Sequence, residues 1–125
     1  MKLLQQLLEM SYQDLNYVED IVDALWNKLG IDVRFSKHFF DRLNDARNEK
    51  DISTAELIQL FKKQYEKHGT EIRKFNDKEE GVMKDLLSKI NLPFAINHKS
   101  GKKELVAQTI LRKPGFHSKG KEFPV

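Results

Sequence analysis

Apolar residues between positions 12 and 29 recur at helical spacing. The intervals alternate between three and four residues, which places one apolar stripe along an amphipathic helix. Ser11, with Asp14 three residues later, marks the start of this helix, and Gly30 is suited to end it. We therefore predict a helix over residues 12–29, whose stripe is formed by Leu15, Val18, Val22, Leu25 and Leu29.

Apolar and polar residues then alternate over positions 31–35, which predicts a short strand. Ser36 follows as an N-cap, and the apolar residues Phe39 and Leu43 come after it at helical spacing. A second helix over residues 37–47 would carry His38, Arg42 and Asp45 on one face, because these residues are separated by four and three positions. This face is our first candidate for a functional surface.

Two further helices are predicted in the middle of the chain. Ser53 and Glu56 have the spacing of a capping box, and they begin an amphipathic helix that ends near residues 67–69. With the preceding helix it would form a helical hairpin, followed by a polar loop over residues 70–77. Val82, Leu86 and Ile90 then predict another helix that ends before Pro93.

The last third of the chain changes character. Residues 94–97 and 104–112 are β-prone and flank a turn that contains Gly101, so we predict a hairpin. Residues 117–125 read as an exposed tail or a loose edge segment. The expected fold class is α+β: N-terminal helices pack on a small antiparallel β-sheet formed mainly by the C-terminal third. A single domain would cover residues 11–116, between a short peptide over residues 1–10 and the tail.

Composition removes several kinds of chemistry. The chain of 125 residues has no cysteine, which excludes disulfides, thiolate metal sites and cysteine nucleophiles. Its four histidines are scattered, and it has no glycine-rich phosphate loop. We therefore predict no metal and no other cofactor. No apolar run is long enough to span a bilayer, and no membrane partner is expected.

The charge is unevenly distributed along the chain. Residues 1–30 hold two lysines against five acids, whereas residues 99–121 hold seven Lys and Arg side chains against Glu104 alone. Such a basic segment suits a polyanion, although a solvated lysine-rich surface accounts for the lysines equally well. The candidate nucleic-acid-binding residues are Lys99, Lys102, Lys103, Lys113 and His117.

The remaining residues could support RNA cleavage without a metal. That reaction needs groups that transfer protons and cations that stabilise charge on the phosphate. His38 or His117 could transfer protons, because imidazole titrates near neutral pH, and Arg42, Arg112 and Lys113 could stabilise the charge. The alternative is structural: His38 as a surface or capping residue, and the arginine of its helix paired with a nearby acid.

A family resemblance supports the enzymatic interpretation. The segments SKHFFDRLNDAR, ISTAEL and AQTILRK, in this order within residues 31–116, resemble the barnase–EndoU–colicin–RelE group of small metal-independent ribonuclease toxins, closest to its phage and toxin-like branches. The resemblance implies an α+β fold with helices on a small antiparallel sheet. It also implies that the catalytic residues are His38, Arg42, Thr109 and Arg112, with Lys113 as a further candidate.

A second resemblance concerns the N-terminus. MKLLQQLLE is similar to the capsid-targeting peptides of internal head proteins in tailed phages, which are cut after a Leu/Ile-x-Glu motif; Leu7 and Glu9 fit that motif. Together the resemblances imply a phage-encoded ribonuclease located in the virion interior and then in the host cytoplasm. Its partners would be RNA or another polyanion, with the phage capsid or a host protein as further partners. An ordinary N-terminal helix explains the same leucines.

The competing interpretation is a protein that binds without catalysis. The same helices and basic hairpin would then form a docking surface for phage DNA, for the capsid or for a host protein. The two interpretations differ in one geometric expectation. For a nuclease, His38, Arg42, Thr109 and Arg112 should converge in one concave site.

Overall fold

The computed structural model describes residues 11–44 and 51–125. Within these ranges the chain has three α-helices, a short 3-10 helix and six strands, so the predicted α+β class is confirmed. In chain order the elements are α1 (Tyr12–Trp26), the 3-10 helix (Asn27–Leu29), β1 (Ile31–Phe35), α2 (Lys37–Leu43), α3 (Thr54–Arg73), β2 (Glu79–Asp85), β3 (Ile90–Lys99), β4 (Lys102–Ala107), β5 (Leu111–Arg112) and β6 (Lys121–Pro124).

Local signals position the helices as the sequence predicts. Ser11 and Ser53 each form a complete capping box, the first with Asp14 and the second with Glu56. Gly30 has a φ of 75°, a left-handed conformation that glycine adopts without a steric penalty, and it ends the 3-10 helix directly before β1. The starts of α1 and α3 and the position of β1 are therefore predictable from residues close in sequence.

The six strands form one mixed sheet rather than the antiparallel sheet that was predicted. The order is β1-β4-β3-β2-β6. β5 pairs with the start of β3, at the end away from the hairpin turn. β3 is antiparallel to its neighbours β2, β4 and β5, whereas β1 runs parallel to β4, and β6 runs parallel to β2. Each parallel pair joins strands that are distant in sequence, and β1 and β6 lie at opposite edges of the sheet.

The core lies between the helices and one face of the sheet. Trp26 of α1 and Phe61 of α3 are fully buried and meet edge to face, with ring centroids 6.4 Å apart. Phe94 of β3 and Phe123 of β6 are also buried and pack together with Phe75. The main packing partner of α3 is α1, so the predicted hairpin of α2 and α3 is not the principal helix pair of the described fold.

Side chains of the helices close both edges of the sheet. At the β1 edge, the carboxylates of Asp23 and Glu19 on α1 accept hydrogen bonds from the backbone N–H groups of Val33 and Phe35, at 2.7 and 2.9 Å. On β6, the buried Gln64 of α3 donates to the Phe123 carbonyl at 2.6 Å, and the His68 ring bonds the next carbonyl. An open edge invites pairing with another chain, and these contacts occupy both edges.

The helix predicted over residues 82–90 is wrong. These residues form the end of β2, a turn over residues 86–89 and the start of β3. Five consecutive residues from Gly81 to Asp85 are buried, because chain segments cover both faces of β2. The leucines that suggested a helical stripe, Leu86 and Leu87, are instead exposed in the turn. The loop predicted over residues 70–77 is also partly wrong, since α3 continues to Arg73.

The predicted hairpin is confirmed, but both of its strands differ from the prediction. β3 is longer than residues 94–97, and it begins at Ile90. The second strand is interrupted over residues 108–110, between β4 and β5. Ser100 and Gly101 form the turn, with φ values of 51° and 76°. Both central residues of the turn are therefore left-handed, as a tight type I′ hairpin requires.

Residues 117–125 are not a tail. They include β6, whose Phe123 is 1 % exposed. Residues 113–120 connect β5 to β6 across the sheet face that carries Lys84, and the amine of Lys84 donates to the Phe116 carbonyl. Gly120 lies so close to the backbone of Gly81 that a Cβ atom at Gly120 would approach it to 2.8 Å. The structural domain therefore extends to the end of the described chain.

Replacing the buried aromatic side chain of β6 tests this correction. We expect Phe123→Ala to lower the free energy of unfolding by about 3 to 5 kcal/mol, the range for removing a phenyl ring from a packed core. The exposed Lys119→Ala in the same segment should change it by less than about 0.5 kcal/mol. Urea denaturation followed by circular dichroism measures both. Equal stabilities of the two variants would instead indicate that residues 117–125 form an exposed tail.

Candidate functional site

Two of the predicted catalytic residues, His38 and Arg42, lie side by side on α2. His38 is exposed, and Arg42 is half-buried one turn later. The Nε atom of Arg42 donates a hydrogen bond to Nε2 of His38 at 3.3 Å. This pair therefore offers a guanidinium and an imidazole at one surface point.

The start of α2 contacts the segment that carries Thr109. The N–H of Ser36 donates to the Ala107 carbonyl at 3.1 Å, and its hydroxyl donates to the Gln108 carbonyl at 3.0 Å. Thr109 is the next residue and is half-buried. The structure thus brings the first turn of α2 next to residues 107–108, as the nuclease interpretation expects for the strand that follows the hairpin.

Arg112 has a different environment. Its guanidinium donates to both carboxylate oxygens of Glu56, at 3.0 and 3.2 Å, and to the backbone carbonyls of Ser88 and Asp51, at 2.9 and 3.1 Å. The side chain is only 10 % exposed. These contacts join the start of α3, the β2–β3 turn and β5. Arg112 is therefore held as a structural cross-link, and a substrate phosphate would compete with a paired carboxylate.

The hairpin lysines lie at the opposite end of the sheet, together with the end of α3. The amine of Lys103 donates to the carbonyl of Arg73, the last residue of α3. Lys78, in the loop after α3, donates its N–H to the Ile96 carbonyl of β3 at 2.6 Å. These contacts place six cations around one end of the molecule. We call this group the basic end; it comprises Arg73, Lys74, Lys78, Lys99, Lys102 and Lys103.

Like charges face each other at this basic end. Lys99 and Lys102 are directly opposite in the hairpin, where two cations repel each other. The ammonium of Lys102 is balanced by Asp32 at 3.0 Å, whereas Lys99 makes no ion pair with any described residue. Asp77 in the adjacent loop accepts the N–H of His98, and Glu79 at the start of β2 accepts the N–H of Asn76. Glu71 of α3 also lies near this end: the Lys121 hydrogen bond lowers the pKa of its carboxyl, and the charge of Lys74 lowers it further. The positive charge of the basic end is thus only partly compensated.

The other two predicted nucleic-acid-binding residues lie elsewhere. Lys113 is exposed next to the β2–β3 turn, where its N–H donates to the Lys89 carbonyl at 2.9 Å. Nδ1 of His117 lies 2.7 Å from the carboxylate of Glu122, whose second oxygen is 3.2 Å from the amine of Lys84. The hydrogen bond with His117, followed by that with Lys84, lowers the pKa of Glu122 below its ordinary value. The predicted binding set is therefore divided between separate places.

Sequence reasoning missed several residues that define these surfaces. Arg73, Lys74 and Lys78 belong to the basic end, but residues 70–77 were predicted as a loop and none of these three cations was a predicted binding residue. The local signal was available, because these cations are close together in sequence. The partnership of Lys84 with Glu122 had no local signal, since it joins β2 to β6.

Some predictions fall outside the described ranges. Leu7, Glu9 and Asp45 belong to segments whose structure is not described. Within residues 11–44 and 51–125, no group of three or more His, Asp and Glu side chains is arranged to hold a metal ion. None of the helices in these ranges has the length and apolar character needed to cross a bilayer.

Removal of Arg112 tests its structural role. We expect Arg112→Ala to lower the free energy of unfolding by about 3 kcal/mol, because Glu56 would lose its partner in a largely buried environment. The matched control is Arg34→Ala: Arg34 also lies on a strand and pairs with a carboxylate at 3.3 Å, but it is 51 % exposed. Its loss should cost less than about 1 kcal/mol. An Arg112→Ala variant as stable as the parent would contradict the structural assignment.

Comparisons with known proteins add no assignment to this geometry. No family model matches the chain, and a search of curated proteins finds no relative. A search of solved structures likewise finds no match. The resemblance to ribonuclease toxins and the resemblance to capsid-targeting peptides therefore both stay predictions.

Proposed function

We propose that this protein binds a polyanion, and specifically nucleic acid, through the basic end, without catalysing a reaction there. The observation that carries the proposal is the convergence of cations from three separate segments: the end of α3, the loop that follows it and the tip of the β3–β4 hairpin. Phosphates neutralised by several lysines release counterions, which is the main source of affinity in non-specific nucleic-acid binding.

Hydrogen bonds hold together the segments that carry the cations of the basic end. His98 is bonded through its N–H to Asp77 at 2.8 Å, and its Nε2 lies 3.2 Å from the Phe75 carbonyl. These contacts hold the hairpin tip against the loop that carries Lys74 and Lys78. A bound phosphate would also relieve the repulsion between Lys99 and Lys102. The geometry therefore offers a partly organised anion-binding surface that needs little rearrangement.

Two observations favour binding over catalysis. Lys102 begins β4 and Ala107 ends it beside α2, and five residues at about 3.4 Å each separate the two points by about 17 Å. The hairpin cations are therefore remote from the His38 pair, and the basic end is a surface separate from the predicted catalytic residues of α2. In addition, Arg112, which the ribonuclease interpretation needs for charge stabilisation, is occupied by Glu56.

A pair of double variants with equal charge change tests the proposal. Lys74→Ala/Lys99→Ala removes two exposed cations of the basic end, and Lys62→Ala/Lys67→Ala removes two exposed lysines of α3 that lie outside it. We expect the first variant to bind a labelled 20-nucleotide nucleic acid more weakly, with the slope of log affinity against log salt reduced by about two. Fluorescence anisotropy at several salt concentrations measures this slope.

The control variant should retain the affinity and slope of the parent protein to within a small factor. Equal losses in both variants would mean that affinity follows total charge rather than the basic end. A parent protein that binds no nucleic acid even at low salt would contradict the proposed function itself.

A second candidate function is metal-independent RNA cleavage at α2. It is favoured by the contact between Arg42 and His38 and by the contacts of Ser36, which bring the first turn of α2 next to the segment before Thr109. Catalysis would require the His38 imidazole to transfer a proton while Arg42 approaches the phosphate. On this interpretation the basic end would bind a distant part of the same RNA.

Incubation of the protein with cellular RNA in EDTA tests this candidate. Cleavage by an α2 site should persist in the chelator, vanish in His38→Ala and remain in Lys37→Ala, which alters the exposed neighbouring residue. Gel electrophoresis of the RNA provides the readout. Cleavage by the parent protein that survives in His38→Ala would exclude this assignment, and intact RNA throughout would leave the binding function alone.

We also propose, from the N-terminal resemblance alone, that the protein is packaged in a phage capsid and cut after Glu9. The two resemblances concern separate segments, so this proposal is independent of the activity. Mass spectrometry of purified virions should detect a form that begins at Met10. Virions without the protein, or with only uncut protein, would remove the packaging proposal.

A further inference from the structure

We infer that the basic end binds double-stranded DNA in preference to single strands, through phosphates and without base stacking. This inference rests on the proposed function and adds the class of ligand. Three features of the basic end carry it: the faces on which its cations stand, the kind of cation, and the position of the aromatic side chains.

The hairpin tip presents cations on both of its faces. Directly paired residues of an antiparallel hairpin point to the same face, and successive pairs point to opposite faces. Lys99 and Lys102 are one such pair, and His98 and Lys103 are the next. Lys99 and Lys102 therefore stand on one face of the two-stranded ribbon, and Lys103 stands on the other, next to Arg73.

This arrangement of cations matches the groove of a duplex better than the backbone of a single strand. Phosphates line both walls of a groove of B-form DNA. β1 flanks β4 as far as Lys103, whose amine contacts the end of α3, so the hairpin protrudes from the sheet only at residues 99–102. Cations stand on both sides of this end of the sheet, and they can approach the phosphates of both walls at once. The tight turn at Ser100 and Gly101 keeps the tip narrow. A single strand offers one row of phosphates, so it can satisfy the cations of only one face at a time.

The cations of the basic end suit backbone contacts. Five of the six are lysines, whose ammonium groups act as compact point charges and lack the rigid planar fork with which arginine makes two parallel hydrogen bonds. Arg73 is the exception. Such a surface neutralises phosphates but carries little means of selecting a base sequence. We therefore expect binding with little dependence on sequence.

Single-strand binding depends on exposed aromatic rings, and those of the described chain lie elsewhere. Phe75, the aromatic residue in the loop of the basic end, is 4 % exposed and stacks on Phe94 inside the core. The large exposed aromatic residues among those described are Tyr12 and Tyr17 on α1. The ring of Tyr12 stacks on Phe40 of α2, which lies at the end of β1 that is remote from the basic end. The basic end therefore offers no Phe, Tyr or Trp ring on which an unpaired base could stack, and the His98 ring is held with its Nε2 3.2 Å from the Phe75 carbonyl.

A competition between strand forms tests the inference. The full chain is titrated into a labelled 20-base-pair DNA duplex, a duplex of unrelated sequence, and each of the separated strands, by fluorescence anisotropy at one salt concentration. We expect both duplexes to bind with affinities within about threefold of each other, and at least about tenfold more tightly than the single strands.

Loss of one face of the ribbon should reduce this preference. In Lys99→Ala/Lys102→Ala we expect the ratio of duplex to single-strand affinity to fall severalfold, whereas Lys62→Ala/Lys67→Ala should keep the ratio of the parent protein. Thermal unfolding of each variant shows whether it is folded. Because both substituted lysines of the first variant are exposed, we expect its melting temperature to be close to that of the parent.

The outcomes separate the two proposals. Single strands that bind as tightly as duplexes, or a ratio unchanged by Lys99→Ala/Lys102→Ala, would overturn the inference and leave nucleic-acid binding in place. A strong difference between the two duplexes would overturn the phosphate-only mode. No binding of any strand form would overturn the proposed function together with the inference.

Discussion

The pairing of β4 on both sides is the constraint on which the two candidate surfaces depend. β4 is antiparallel to β3, to which the hairpin turn joins it. It is parallel to β1, which comes much earlier in the chain. The antiparallel pairing places Lys102 at the tip of the sheet, and the parallel pairing brings Ala107 to the start of α2. The length of β4 therefore separates the hairpin cations, which were predicted to bind nucleic acid, from His38, which was predicted to be catalytic.

The remainder of the fold secures this arrangement with contacts between distant segments. The Asp23 and Glu19 carboxylates hold the free edge of β1 from the side of α1, while Gln64 and His68 hold the carbonyls of β6 from α3. Arg112 ties β5 to the start of α3. These contacts fix the relative positions of strand ends and helix ends, and the basic end is where several of those ends meet.

Features that depend on neighbouring residues were predictable from the sequence. The capping boxes at Ser11 and Ser53, the left-handed Gly30 and the alternation of β1 are local, and the structure has all of them. The hairpin turn was predictable for the same reason. The helix assigned to residues 82–90 failed because four-residue spacing in an apolar segment fits both a buried strand with a turn and a helix. Only the coverage of both faces of β2 decides between them.

The candidate sites depended on contacts that the sequence does not reveal. The spacing of His38 and Arg42 predicted their proximity, since they are one helical turn apart. The partner of Arg112 is 56 residues away in sequence, and the basic end joins residues 73–78 to residues 99–103 only after the chain has folded. Sequence reasoning could therefore nominate cations, but it could not say which of them share a surface.

Amide chemical shifts of the labelled protein, recorded during titration with a short DNA duplex, test the central claim most directly. The binding account predicts the largest changes at residues 73–78 and 98–103, and small changes at residues 36–43 and 108–112. The largest changes around α2 and the segment after β4, with an unaffected hairpin tip, would contradict it.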